Sequence, residues 1–368
     1  MGATGFSGEL ARTAHQAMKP RILYVGSLSP GGTSLYRFRS LERLDQTVIP
    51  FDLARYAFRW GKLNALRRRF PMGPLIAKIN ADFLRTVTNE KPDLVWFDKP
   101  IFFTPSTIRR VKDAGAQTVC YNQDNPFGPC NEGCWHQFFK IYRMLDLHCL
   151  FRNVDIPRYQ GWDLNYIKIQ LSYDPREHFP PPADWSDADR TREASYIGSP
   201  YDDRPRFLRS LIQDFNLPVT ISGPRWEKVF SRNELESYTR GGMLKDAAYR
   251  ENIWKSKINL SFVTQFNEED VAHKAFEIAA CRGFLLALRT PGHQACFQEG
   301  REAEFFSSID ECADKIRYYL DHSAEREGIA ARGCERAARS GYDNETQLSR
   351  VLQKLHQLRE LSGQFSVD

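Results

Sequence analysis

Two α/β domains, each a parallel sheet with helices on both faces, are predicted from this sequence of 368 residues. The length exceeds that of one ordinary core and suits two domains of roughly 150–200 residues each. Short apolar strands alternate with amphipathic helices, which is typical of parallel sheets. The alternation stops at the proline-rich, charged segment Phe179–Arg190 and then restarts. The sequence therefore predicts two doubly wound domains that face a central cleft.

The first array begins with the apolar strand Arg21–Gly26, the loop Ser27–Ser34 and the helix Leu35–Leu44. A strand, a glycine loop and a helix in this order open a βαβ unit. Buried strands follow at Asp93–Asp98 and Gln117–Pro126. Parallel strands end at one edge of the sheet, where such folds bind ligands. The candidate site residues at this edge are Gly31, Gly32, Thr33, Arg37, Asp98 and Asp124.

The second array begins with the strand Ala194–Ser199 and includes the helix Val271–Gly283 and a short helix at Ala295–Gly300. An amphipathic helix, Glu345–Leu361, ends the pattern. Glycine at a strand end lets backbone N–H groups approach a phosphate, and a nearby arginine adds charge. The candidates for such an anion site are Gly198, Ser199, Arg204 and Gly223. A plain turn beside a core tryptophan is the alternative for Gly223.

The N-terminal segment Gly2–Gly8 resembles the glycine fingerprint of nucleotide-binding dehydrogenases. That loop functions only after a strand, which aims the following helix N-terminus at a pyrophosphate. Only Met1 precedes the segment here. We therefore interpret residues 1–19 as an N-terminal extension, with a cofactor loop as the alternative.

The net charge and the length of the apolar runs argue against a nucleic-acid-binding, membrane-spanning or secreted protein. A net charge of +5 suits an anionic ligand but is too weak to indicate nucleic-acid binding. No apolar run reaches the length of a membrane span, and the start has no secretory signal, so we expect a cytoplasmic protein. The basic, aromatic segment Arg55–Gly73 suggests either peripheral contact with the inner membrane face or an anionic acceptor. A solvated helix face is the alternative.

Most of the eight cysteines lie in apolar patterns, which predicts buried free thiols. Cys130 and Cys134, with His136 nearby, could form a metal or redox site. Their spacing differs from that of common zinc knuckles, so we favour a simple loop and expect no metal. His136 and His293 are weaker site candidates, because histidines in loops are usually just exposed.

The segments Phe276–Thr290, Phe297–Ser308 and Asp314–Gly333 resemble the CgeB-like group of bacterial glycosyltransferases, which have the GT-B architecture. The resemblance spans roughly residues 20–345, and its first two segments are the most specific. It implies two facing Rossmann-like domains, at 20–185 for the acceptor and at 190–340 for a UDP- or GDP-linked sugar. It also implies that the helix 343–362 returns to the first domain, and that neither a cofactor nor a metal is needed.

The same resemblance suggests roles for an acidic and a basic side chain near the donor. Phe276 and Glu277 match an FE motif whose glutamate accepts hydrogen bonds from ribose hydroxyls. Glu269 precedes Glu277 at the spacing of the paired glutamates of many retaining enzymes, which slightly favours retention. Lys274 stands where related enzymes often carry an arginine for the diphosphate. An acidic loop and a surface lysine are the structural alternatives.

The leading interpretation is thus a hexosyltransferase-type enzyme, class EC 2.4, with an unidentified glycan, lipid-linked or protein acceptor. An inverting enzyme would need Asp98 or Asp124 as a general base; capping and turn formation are their alternative roles. A sugar-nucleotide epimerase of the same fold remains a second hypothesis. A non-catalytic protein that binds polysaccharide or nucleic acid is the third.

Overall fold

Two parallel sheets form the framework of the computed structural model, which describes residues 20–57, 61–129 and 133–364. The first sheet has six strands in the order β2-β1-β3-β4-β5-β6, and the second has five in the order β11-β10-β9-β7-β8. Every strand pair in both sheets is parallel. The prediction of two doubly wound α/β domains is confirmed.

The strands are short and mostly buried, as expected for sheets covered on both faces. The first sheet contains β1 (Arg21–Gly26), β2 (Thr47–Asp52), β3 (Leu94–Asp98), β4 (Gln117–Tyr121), β5 (Leu147–Leu150) and β6 (Tyr166–Lys168). The second sheet contains β7 (Arg192–Ile197), β8 (Val219–Ser222), β9 (Ser256–Ser261), β10 (Leu285–Leu288) and β11 (Glu304–Phe306).

The helices connect the strands and cover the sheets. Those before β7 are α1 (Thr33–Arg43), α2 (Gly61–Arg69), α3 (Pro74–Glu90), α4 (Pro105–Asp113), α5 (Phe138–Ile141) and α6 (Ile156–Gly161). Those after β7 are α7 (Arg204–Gln213), α8 (Arg232–Tyr238), α9 (Asp246–Trp254), α10 (His273–Ala280), α11 (Pro291–Cys296), α12 (Ile309–Asp321), α13 (Ser323–Arg339) and α14 (Asn344–Gln364).

The strand order reverses direction once in each sheet. In the first sheet β1 pairs with both β2 and β3, and in the second β7 pairs with both β8 and β9. At such a reversal the connecting helices leave to opposite faces and open a crevice at the carboxyl ends of the strands. The loops after β1 and β7 therefore occupy the positions where ligands bind in this class of fold.

The C-terminal helix α14 packs on the first domain. It lies against α1, and the Gln347 side chain accepts a hydrogen bond from the Gln170 amide at 3.0 Å. Ser172 donates to Asn344 at 2.7 Å. Leu348 and Val351 are buried in a hydrophobic cluster that also contains residues of β1 and α10. One continuous apolar cluster thus joins both domains to this helix.

One helix differs from its predicted position. The short helix expected at Ala295–Gly300 is α11, which begins at Pro291. Thr290 caps it, because its hydroxyl accepts a hydrogen bond from the His293 amide at 3.0 Å. Proline suits the first turn, since the amide that it lacks would have no intrahelical partner there. Helices α8 and α13 were not anticipated from the alternation of strands and helices.

The cysteines of the described ranges are free thiols, and six of these seven are buried. This agrees with their apolar sequence contexts. Within residues 20–57, 61–129 and 133–364, no helix combines the length and apolar character needed to cross a membrane. The predicted extension 1–19, with its glycine-rich segment, lies outside the described residues.

Replacing Leu348 in α14 by alanine should lower the free energy of unfolding by about 2–5 kcal/mol, since a buried cavity remains. Leu348 is 1% exposed, whereas Leu361 on the same helix is 54% exposed. Leu361→Ala is therefore the control and should change stability by less than about 0.5 kcal/mol. Urea unfolding followed by circular dichroism measures both, and equal effects would contradict the packing described for α14.

Candidate functional site

A cavity of about 320 Å³ lies at the carboxyl edge of the second sheet. Its walls come from the ends of β7 and β8 and from the start of α10. Six residues predicted from the sequence line it, namely Gly198, Ser199, Arg204, Gly223, Glu269 and Lys274. The structure therefore brings most of the predicted donor-site residues together.

Two glycines set the shape of this cavity. A Cβ atom on Gly223 would lie 2.1 Å from the Gly198 carbonyl oxygen, and Gly223 has a φ of +141°. A Cβ atom on Gly198 would lie 2.4 Å from the Tyr196 hydroxyl. The two strand ends can approach this closely only without side chains. Trp226 donates to the Gly198 carbonyl at 2.9 Å and is buried, so it belongs to the core.

Two cationic side chains face the cavity. Among the described residues, none forms a hydrogen bond or an ion pair with the Lys274 ammonium group, which lies in the first turn of α10. Burial, together with the charge of Arg204, lowers the pKa of Lys274. Arg204 donates to the Val263 carbonyl at 2.7 Å and to the Thr264 hydroxyl at 3.0 Å. These cations and the start of α10 make the cavity suitable for an anion.

Glu277 lies one turn after Lys274, in a cluster of polar side chains. Its carboxylate accepts a hydrogen bond from Tyr249 at 2.5 Å and lies 3.7 Å from His178 and 3.8 Å from His273. Burial alone would raise the pKa of Glu277. The charges of His273, His178 and Lys274 and the Tyr249 hydrogen bond outweigh burial and lower this pKa to about 2. Glu277 is therefore held as a buried carboxylate.

Sequence reasoning missed the partners of Glu277. Tyr249 and His273 line the cavity, and they connect Glu277 to it. His273 precedes Glu277 by four residues on one helix, so helical spacing could have indicated this contact. No local signal identifies His178 or Tyr249, because they come from distant segments.

The two neighbouring glutamates have different environments. Glu269 lines the cavity and accepts hydrogen bonds from the Thr264 amide at 2.9 Å and from Asn267 at 2.8 Å. Glu268 instead accepts a hydrogen bond from Asn125 of the first domain at 2.7 Å. Of the two, Glu269 is therefore the one placed to meet a ligand in the cavity.

Phe276, the other residue of the FE motif, has a core position. Its side chain is fully buried and packs against Phe297 and Tyr342 at ring-centroid distances of 5.9 and 4.8 Å. A ligand in the cavity cannot reach this ring. The Phe276 side chain therefore packs α10 against the core and does not contact the cavity.

The first-domain glycine loop contacts the second domain. Lys245 donates to the Pro30 carbonyl at 3.0 Å, and its side chain occupies the space that a Cβ atom on Gly31 would need. Gly32 precedes α1, which starts at Thr33. Tyr36 donates to Asp246 at 2.7 Å. These contacts bring the loop after β1 to the edge of the cleft.

The two candidate aspartates already have cationic partners. The Asp98 Oδ2 atom accepts hydrogen bonds from Arg37 Nε at 3.1 Å, Arg37 Nη2 at 2.6 Å and the Tyr24 hydroxyl at 2.7 Å. Asp124 forms an ion pair with Lys99. Arg37 is thus a partner of Asp98 and is itself buried.

The weaker candidates, His136 and His293, lie in different environments. His136 is exposed, as expected for a loop histidine. His293, which was expected to be exposed, is fully buried, because its ring bonds the Ala272 amide at 3.0 Å and the Leu288 carbonyl at 2.7 Å. Cys130 lies outside the described residues. Among the residues that are described, no group of three or more His, Cys, Asp or Glu side chains is arranged to hold a metal ion.

Residues 204–353 match the model of a family described as glycosyl transferase-like. Solved structures of glycosyltransferases superpose over almost the whole chain. The chain has the GT-B fold. Neither finding names the CgeB-like group, so that resemblance stays a prediction. A comparison with curated protein sequences gives no match.

HepE from Anabaena, in complex with UDP-glucose, superposes with a TM-score of 0.63 at 13% identity, covering 92% of this chain and 100% of HepE. Sucrose-phosphate synthase from Thermosynechococcus elongatus gives 0.64 at 12% identity, covering 93% of this chain and 100% of that one. A trehalose-6-phosphate synthase gives 0.59 at 14% identity over 92% and 99% of the two chains. At such identities the likeness establishes the fold.

Acidification should destabilise the protein through His293. Burial lowers the pKa of His293 to about 4, and its neutral ring accepts a hydrogen bond from the Ala272 amide next to α10. Between pH 6.5 and 4 the unfolded chain binds a proton at this ring and the folded chain does not. The free energy of unfolding should therefore fall with the pH, by about 3 kcal/mol over this window.

The measurement is urea unfolding at several pH values for the wild type, His293→Gln and His136→Gln. The His293→Gln protein should show a shallower pH dependence, while the exposed control His136→Gln should follow the wild type. Parallel curves for all three proteins would contradict the role assigned to the buried ring.

Proposed function

We propose that this chain is a glycosyltransferase that moves a sugar from a nucleotide donor, UDP- or GDP-linked, onto an acceptor. The observation that carries the proposal is the second-domain cavity, where Lys274 lies at the start of α10 beside the closely apposed Gly198 and Gly223. That arrangement suits a diphosphate. The fold supports the same reaction class, and the HepE structures in complex with UDP and UDP-glucose support UDP as the nucleotide.

The cationic side chains of the cavity are proposed to neutralise the leaving diphosphate. Lys274 supplies a charge without a competing partner among the described residues, and the buried Nε atom of Arg204 has no acceptor there either. Backbone amides at Gly198 and Ser199 would add donors. With these groups the transfer would need neither a metal ion nor a cofactor.

Glu277 is proposed to bind the ribose of the donor nucleotide. Its low pKa keeps the carboxylate ionised, so both oxygen atoms accept hydrogen bonds. Vicinal hydroxyls match the two oxygens of one carboxylate. Tyr249 donates to Glu277 and lines the cavity, so we propose that its hydroxyl shares this contact with the ribose.

Retention of configuration is the proposed stereochemical course. An inverting transfer needs an acceptor-side general base. The nearest candidates, Asp98 and Asp124, are engaged with Arg37 and Lys99. Glu269, by contrast, lines the donor cavity at the paired-glutamate spacing from Glu277. In a retaining course the acceptor oxygen attacks from the face of the departing diphosphate, whose oxygen takes the acceptor proton.

A thermal-shift panel of UDP, GDP, CMP, dTDP and their sugars, with NAD for comparison, tests the donor class. One nucleotide family should stabilise the wild type. Lys274→Ala and Glu277→Ala should each weaken the affinity for that nucleotide by about 10- to 100-fold, since each removes a charged partner. The exposed Lys140→Ala on α5 is the control and should bind like the wild type.

Two results would refute the donor assignment. One is stabilisation by NAD alone, which would favour the alternative that the segment Gly2–Gly8 is a cofactor-binding loop. The other is an unchanged nucleotide affinity in Lys274→Ala and Glu277→Ala. Incubation of the stabilising sugar nucleotide without an acceptor separates the epimerase hypothesis, because an epimerase would convert the donor by itself.

A further inference from the structure

A second cavity, of about 230 Å³, lies in the first domain. It is bordered by the residues that follow β1, β2 and β3 and by α2. Ser29 on its wall is next to Pro30, whose carbonyl accepts the hydrogen bond from Lys245 of the second domain. The cavity therefore lies beside the contact between the loop after β1 and the second domain.

The walls of this first-domain cavity carry an excess of positive charge. Arg67, Arg68, Lys99 and Asp98 line it. The charge of Asp98 is neutralised by Arg37, which does not itself line the cavity, and Lys99 is paired with Asp124. Within the described part of the chain, neither Arg67 nor Arg68 has a carboxylate partner. Among the residues that the structure describes, two guanidinium groups thus remain without a counter-charge.

Asp52 is a further carboxylate at the end of β2, but it does not line this cavity. It lies next to Leu53 on the cavity wall, and its Oδ1 atom accepts hydrogen bonds from the Leu28 amide at 3.0 Å and the Ala54 amide at 2.8 Å. These amides hold the carboxylate in place at the end of β2. Its role is therefore to fix the loops that form the cavity.

Arg67 is held in position while one of its donors stays unused. Its guanidinium lies 4.8 Å from the centre of the Phe102 ring and donates to the Tyr56 carbonyl. The Nε atom is buried and has no acceptor among the described residues. Burial and the neighbouring charge of Arg68 lower the pKa of Arg67. An oxyanion in the cavity would offset the repulsion between the two guanidinium groups.

We propose that this first-domain cavity binds an oxyanion, phosphate or carboxylate, carried by the acceptor. Guanidinium groups suit both, because their fork of donors matches two oxygens of either group. The inference rests on the proposed transferase function only in assigning the oxyanion to the acceptor. The oxyanion site itself is carried by Arg67, Arg68 and the charge balance of the cavity.

Isothermal titration with inorganic phosphate, glucose 6-phosphate, glucuronate and glucose tests the site, in the presence of saturating UDP. UDP fills the donor cavity, so that the remaining anion binding reports on the first domain. The anionic compounds should bind and glucose should bind more weakly. Tighter binding of glucose 6-phosphate than of glucuronate assigns a phosphate, and the reverse order assigns a carboxylate.

The decisive variant is Arg68→Glu, because Arg68 is exposed and we expect its replacement to leave the fold intact. It should weaken binding of the anionic compounds by about tenfold or more. Arg109→Glu makes the same charge change at an exposed position on α4 of the same domain and should leave binding unchanged. Arg67→Met, which keeps the packing on Phe102, should weaken binding as well.

The inference is wrong if no anionic compound binds the wild type, if glucose binds equally well, or if Arg68→Glu behaves like Arg109→Glu. The UDP-induced thermal shift, measured on every variant, separates this failure from failure of the proposed function. Loss of the anion effect with a normal UDP shift removes only the oxyanion site. Anion binding that depends on Arg68, without a shift by any nucleotide of the panel, keeps the site and removes the proposed reaction.

Discussion

The buried charge of Glu277 is the constraint that organises the centre of this molecule. A carboxylate out of water is stable only when other charges and donors surround it. Its partners come from three segments, since His178 follows the first sheet, Tyr249 belongs to α9 and His273 begins α10. The His178 ring also packs edge-on against Tyr36 of α1 and against Tyr249. The surroundings of this one charge therefore connect α1 and the segment after the first sheet to α9 and α10 of the second domain.

The distribution of unpaired charge distinguishes the two faces of the cleft from the rest of the protein. At the first-domain strand ends the carboxylates of Asp98 and Asp124 are matched by Arg37 and Lys99. In the part of the chain that is described, Lys274 of the second-domain cavity and Arg67 and Arg68 of the first-domain cavity have no carboxylate partner. Such sites attract anions from both sides, and they do so more strongly where water is excluded. A donor diphosphate and an anionic acceptor would thus be held by separate sets of cations.

The sequence predicts the fold well because strand and helix periodicity is local. It also predicts that Gly198, Gly223, Glu269 and Lys274 lie together, since they follow from strand ends and one motif, and these residues do line one cavity. The FE motif predicts Phe276 as a donor-binding residue, but its side chain is buried in the core. A motif does not show which face of a helix is buried. The contacts of His178 and Tyr249 could not be predicted, since they depend on how distant segments meet. The buried position of His293 was missed for the same reason.

The return of α14 to the first domain affects how the protein is made. The first sheet ends at Lys168, yet its apolar cluster is completed by Leu348 and Val351. During synthesis the ribosome must therefore finish the whole second domain before the first can close its core. Domains commonly fold one after another as they emerge. Here part of the apolar cluster of the nascent first domain stays open until α14 has been made, so a chaperone that covers apolar surface would protect it.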